Sequence, residues 1–93
     1  MSNLNIENQL YKNEDIYSSE VDGETIMMNI DNNAYYTTQE IGNRIWELLD
    51  SLDTPKAICD QLMQEYEVSQ EQCQNEVLQF LEQLLEHGIV TKK

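Results

Sequence analysis

Apolar and polar positions change their spacing once along this chain. Between Ile16 and Tyr36 they follow the two-residue rhythm of strands, and from Ile41 to Leu85 the wider rhythm of amphipathic helices. Ile16 to Val21 (IYSSEV) predicts a first strand. Asp22-Gly23 after it is a strong type I′ hairpin signal, because that turn needs two residues with positive φ. Thr25 to Ile30 predicts the returning strand. Its alternation puts Ile26, Met28 and Ile30 on one face and Met27 on the other, so cover on both sides is expected. Asp31-Asn32-Asn33 reads as the next turn, and Ala34-Tyr35-Tyr36 as a third strand.

Three helices are predicted next, each with its own start signal. Thr37 stands three residues before Glu40, the spacing of a capping box, and the first helix should run to about Asp50, burying Ile41, Ile45, Trp46, Leu48 and Leu49. Thr54 can cap a second helix with Pro55 in its first position, carrying Ile58, Leu62, Met63 and Tyr66. Ser69 and Gln72 repeat the capping-box spacing and open a third helix that Gly88 stops, with Ile89-Val90 as a short extended end. At ~100° per residue, Phe80, Cys73, Leu84, Val77, Leu81, Leu85 and Leu78 follow in that order around one side of this helix. They cover roughly 160°, wider than core burial requires. One margin is thus free to border a groove, and Leu78 and Leu85 are the residues expected there. Residues 1–14 lack a clear period and are expected to be a loosely ordered lead-in, with 15–93 forming one domain. The resulting class is α+β: a three-stranded antiparallel sheet followed by three helices, a winged-helix-like order.

Composition narrows what such a domain can do. Five Lys+Arg against 18 Asp+Glu leave a net charge of −13, which repels nucleic-acid phosphates and anionic membranes alike. A DNA-binding regulator, the alternative that the winged-helix order raises, would need basic residues in the third helix, and it has none. No apolar run is long enough to span a bilayer and no export signal opens the chain, so a cytoplasmic location is expected.

Candidate chemistry is sparse. Cys59 and Cys73 lack a neighbouring cysteine or histidine at metal-ligand spacing and read as small apolar fillers. Asp31-Asn32-Asn33 fails the calcium-loop pattern, which needs an oxygen ligand and a glycine where Tyr35 and Tyr36 stand. Asp50-Ser51-Leu52 matches the attachment tripeptide of acyl carriers. Ser51 ends a helix, however, where an attachment serine should open one, and strands precede the helices. His87 is the only histidine and sits where a helix dipole favours a cation. No catalytic residue, metal site or cofactor is expected. What the pattern does offer is the strand at Ala34–Tyr36, an edge to which an extended peptide could add.

Asp22-Gly23, Asn29-Ile30-Asp31, Ala34-Tyr35-Tyr36, Gly42 with Ile45-Trp46-Glu47-Leu48-Leu49, then Ile58, Leu62, Tyr66, Val77, Phe80-Leu81, Leu84 and Gly88-Ile89-Val90 occur in an order that resembles the PqqD-like family, also called RiPP recognition elements. The tyrosine pair followed by Gly-x-x-Ile-Trp is most similar to the stand-alone recognition proteins of lasso-peptide clusters. Thr37-Thr38-Gln39-Glu40 departs from that branch, which usually has a leucine-like residue followed by Asn or Asp. The resemblance implies a non-catalytic protein that binds the leader of a ribosomally made precursor by strand addition. Its further partner would be a cysteine-protease leader peptidase or another modifying enzyme. It implies a peptide site formed by Ala34, Tyr35, Tyr36 and Thr37 on the strand, with Cys73, Val77, Leu78, Leu81 and Leu85 on the third helix. Tyr35 and Tyr36 point to opposite faces, so only one of them can line the groove.

Overall fold

The computed structural model describes residues 4–93. Its elements run β1 (Leu10–Lys12), β2 (Ile16–Val21), β3 (Glu24–Asn29), β4 (Ala34–Gln39), α1 (Ile41–Leu48), α2 (Pro55–Glu65), α3 (Gln70–Glu86) and β5 (Val90–Lys92). β2, β3 and β4 form an antiparallel sheet in sequence order, and β1 pairs antiparallel with β5. The α+β class and the strand–strand–strand–helix–helix–helix order expected from the sequence are thus observed.

Local signals account for most of the chain reversals. Asp22 and Gly23 both have positive φ, 54° and 81°, and close β2 onto β3 with Val21 opposite Glu24. The second turn is held by asparagine side chains: Asp31 N–H donates to Asn29 Oδ1 at 3.0 Å and Ala34 N–H to Asn32 Oδ1 at 2.9 Å. Thr54 and Ser69 each accept from the backbone N–H three residues on, Ala57 and Gln72, both at 3.2 Å. Gly88, at φ +72°, ends α3.

Four expectations are corrected. The lead-in is partly built into the fold: Leu10 and Leu4 are buried in the core, and β1 holds β5 in register with Leu10 opposite Lys92. A three-residue strand carries too few alternations to be legible, and its partner is at the far end of the chain. β3 is covered on one side and not on both. Thr25, Met27 and Asn29 face the core while Ile26, Met28 and Ile30 face outward, and only the Met27 face is covered. β4 continues through Gln39, so Thr37 pairs with Ile26 and caps no helix. β3 offers ladder partners as far as Glu24, and these continuous main-chain bonds outweigh one local cap. The chain leaves the strand at Glu40, whose φ is 54° and whose side chain makes no capping bond. Finally, Ile41 is exposed on the first turn of α1, whereas Ile45, Trp46, Leu48 and Leu49 are buried as expected.

The core lies between the inner sheet face and the three helices. Met27, Ile58, Leu62, Val77, Leu81, Leu84, Ile89 and Val90 are almost fully excluded from solvent. Buried Asn29 is satisfied: its Nδ2 donates to the Gly88 carbonyl at 3.2 Å, and Asn13 Nδ2 donates to the same oxygen at 2.9 Å. The end of α3, the middle sheet strand and the lead-in are therefore tied at one carbonyl.

Candidate functional site

β4 is the outer strand of its sheet on the side away from β2, and among the described residues no further strand pairs with it. Which of its backbone groups are free follows from the register. Val21 and Glu24 flank a two-residue turn, and Ile30 N–H donates to the Asp15 carbonyl, so Glu24, Ile26, Met28 and Ile30 direct their main-chain bonds to β2. The alternate residues Thr25, Met27 and Asn29 direct theirs to Thr38, Tyr36 and Ala34. The N–H and C=O groups of Tyr35, Thr37 and Gln39 therefore point to the open edge.

The side chains of β4 alternate independently of this. Tyr36 turns toward α3 and is half-buried, while Tyr35 turns outward and is 66% exposed. Tyr36 is held from the helix side. Its hydroxyl donates to Gln83 Oε1, and its ring meets Phe80 and His87 edge-on, at centroid separations of 6.1 and 5.4 Å. The His87 ring is fixed in turn by Nδ1, which lies 2.8 Å from the Gln83 carbonyl. Gly42 permits the close approach on the other side, since a Cβ there would lie 1.7 Å from Thr38 Oγ1 and 3.3 Å from Phe80. β4, the start of α1 and one face of α3 thus meet around Tyr36 and Phe80.

Phe80, Gln83 and His87 occupy one stripe of α3, and this places the residues expected on that helix. Cys73, Val77 and Leu81 are buried in the core. Leu78 and Leu85 are half-buried on the opposite margin of the apolar arc, well over a quarter-turn from Phe80, and so face away from β4. The margin bordering the strand is the Phe80 margin. Ala34 and Thr37 lie on β4 as expected, Ala34 half-buried and Thr37 exposed. The wide arc on α3 was a usable signal, but angular position alone does not say which margin meets the sheet. Phe80, Gln83 and His87, which pack around Tyr36, were not among the residues expected there.

A small apolar recess lies between the three helices. Ile41, Tyr66, Val68 and Glu76 line it together with Cys73 and Val77, two of the residues expected on α3. Both thiols are chemically quiet. Burial pushes the Cys59 thiol up to about 12, with Cys73 adding to the shift, and burial likewise raises Cys73. Cys73 Sγ lies 3.9 Å from the Cys59 carbonyl. Among the described residues, no group of His, Cys, Asp and Glu is placed to hold a metal ion, and no helix is long and apolar enough to cross a membrane.

Sheet and helices together define a winged-helix-like domain with an edge strand set beside its last long helix. The chain belongs to the PqqD family: the family model described as coenzyme PQQ synthesis protein D matches residues 24–90. Two solved structures share the fold. One is TbiB1 in complex with the TbiA(beta) leader peptide, with a TM-score of 0.79 and 24% identity, covering 86% of this chain and 93% of the other. The second is lasso peptide synthetase B1 complexed with the leader peptide, with a TM-score of 0.77 and 19% identity, covering 89% of this chain and 98% of the other. No match is found among curated protein sequences.

Proposed function

We propose that this chain binds the leader segment of a ribosomally synthesised precursor peptide, as an added strand along β4, and delivers it to a modifying enzyme or leader peptidase in lasso-peptide biosynthesis. The observation that carries this reading is the open edge of β4, with the main-chain groups of Tyr35, Thr37 and Gln39 unpaired in the sheet, beside the apolar floor of Tyr36 and Phe80. Both fold relatives named above were solved with a leader peptide bound.

In this mechanism the leader aligns antiparallel to β4. Its backbone exchanges hydrogen bonds with Tyr35, Thr37 and Gln39, and these bonds supply affinity with little sequence preference. Selectivity comes from its alternate side chains. Those on the inner face enter the groove over Tyr36 and Phe80, toward the recess that begins at Ile41. Gln83 and His87 offer polar partners at the Ala34 half of the groove. Both cysteines are buried, and the role read here is that of a non-catalytic adaptor.

Fluorescence anisotropy with labelled synthetic leader peptides of ribosomally made precursors tests the reading. Saturable binding at micromolar concentrations or below is expected, and no saturation at tens of micromolar overturns it. A shift of labelled duplex DNA by the same protein at low salt would favour the regulator instead. The absence of Lys and Arg from α3 speaks against that outcome.

A further inference from the structure

Tyr36, Gln83 and His87 hold one another in a way that fixes which of their polar atoms stay free. The Tyr36 hydroxyl donates to Gln83 Oε1, so the oxygen of that amide is engaged while its Nε2 has no partner among the described residues. His87 Nδ1 lies 2.8 Å from the Gln83 carbonyl, and a carbonyl oxygen can only accept. In the neutral ring the proton therefore sits on Nδ1, and Nε2 is left as a bare acceptor. A main-chain atom one helical turn back sets the tautomer, and the edge-on contact with Tyr36 sets the ring plane.

The side chains of Gln83 and His87 are exposed, so this free donor and free acceptor are open to another molecule. They follow each other at a four-residue spacing along α3, beside the inward-turned Tyr36 of β4. A strand added to the β4 edge carries every second side chain on that inner face. The one opposite Tyr36 starts ~5 Å from it and extends over the same ring toward α3.

A free amide N–H beside a bare ring nitrogen is matched by a group that accepts with one atom and donates with another. A carboxylate only accepts, and it would join the acidic groups already at this end: Glu86 precedes His87, and Asp31, in contact with Asp15, stands in the turn before β4. An ammonium only donates and leaves Gln83 unserved, whereas an aliphatic side chain covers both groups and pairs neither. A carboxamide serves both, its oxygen accepting from Gln83 Nε2 and its nitrogen donating to His87 Nε2. We propose that Gln83 and His87 form a selectivity site for a carboxamide side chain, asparagine or glutamine, at the position of the bound peptide opposite Tyr36. The inference rests on the peptide-binding reading and deepens it, because main-chain pairing with β4 alone would not distinguish one leader from another.

A peptide scan tests this. The host is the synthetic leader that binds the wild-type chain most tightly; each of its residues is replaced in turn by Asn, Leu, Asp or Lys, and affinities are read by fluorescence anisotropy. With wild type, one position is expected to favour Asn by about tenfold over Leu and Asp, and to favour it over Lys. His87→Phe keeps an aromatic edge against Tyr36 and removes Nε2, and Gln83→Glu removes the amide donor. Each should erase the Asn preference, while the Leu peptide binds His87→Phe within about threefold of wild type. If His87→Phe instead weakens all four peptides alike, the residue is structural and the proposal is overturned. A scan in which no position favours Asn, with the host peptide still bound, overturns it too and leaves the peptide reading standing. No saturable binding of any leader to wild type overturns both.

Discussion

Gly88 has a φ of +72°, and its carbonyl accepts from both Asn13 and Asn29. A Cβ at this position would lie 2.9 Å from Asn29 Nδ2, the donor that holds the carbonyl. Gly88→Ala therefore combines left-handed backbone strain with damage to a buried hydrogen bond, and should cost about 2 kcal/mol. Thermal unfolding should show it as a Tm lowered by roughly 10 °C for a domain of this size. Gly23, at φ +81°, has nothing near its missing Cβ, so alanine there should lose only the backbone contribution and unfold at a temperature nearer wild type. The sequence marked both glycines as turn residues. The crowding that separates them comes from Asn29, a residue 59 positions away in the chain.

At the scale of elements, β4 has two sets of backbone donors with different tasks. Thr37 N–H points to the open edge, and Thr38 N–H toward Thr25 in the ladder. Proline at the first position removes a donor that the sheet itself does not use, whereas at the second it breaks a ladder bond. Thr37→Pro is expected to keep the far-ultraviolet circular dichroism of the fold and to weaken peptide binding by about tenfold, the equivalent of one or two main-chain bonds. Thr38→Pro should lower the Tm as well. Equal peptide affinity in wild type and a folded Thr37→Pro would mean that the guest does not pair with this edge. The helices show a similar division between local and distant causes. Thr54 and Ser69 cap α2 and α3 through contacts three residues away, and both were legible. Thr37 has the same spacing to Glu40 and failed as a cap, because β3 pairs with its neighbours Tyr36 and Thr38 and keeps it in the strand.

Over the whole molecule, 18 acidic and five basic residues leave few ion pairs to spread across the surface, and pH should act through a small number of groups. Arg44 links α1 to α2 by gripping Glu65 through both carboxylate oxygens, with Nε–Oε1 at 2.9 Å and Nη2–Oε2 at 2.7 Å. That grip, with a further bond from Gln61, holds the Glu65 carboxyl at about 2, below its ordinary 4.5. A lowered carboxyl binds fewer protons when folded, so its stabilisation is present above pH 4.5 and is lost as pH falls toward 2. Cys59 works in the opposite sense: raised from 9.0 to about 12, it contributes fully below pH 9 and progressively less above it. Denaturant unfolding across pH should show a plateau between these limits, and Glu65→Gln should flatten its acid shoulder. An acid shoulder of unchanged size in Glu65→Gln would assign it to other carboxylates.

What the sequence determined by itself is everything that depends on neighbours within a few residues: the Asp22-Gly23 hairpin, the caps at Thr54 and Ser69, and the stop at Gly88. Alternation also established that Tyr35 and Tyr36 part company. Periodicity, however, has no sign. It groups Ile26 with Met28 and Ile30, or Leu78 with Leu85, without saying which group meets the core, because that depends on where the other layer lies. Only the tertiary structure turned Met27 inward and left Met28 bare beside Tyr17 and Tyr35. Only packing brought the Phe80 margin of α3 to Tyr36 and closed Leu10 against the end of the chain. The sequence could therefore name the strand that offers an edge, and the fold chose the walls around it.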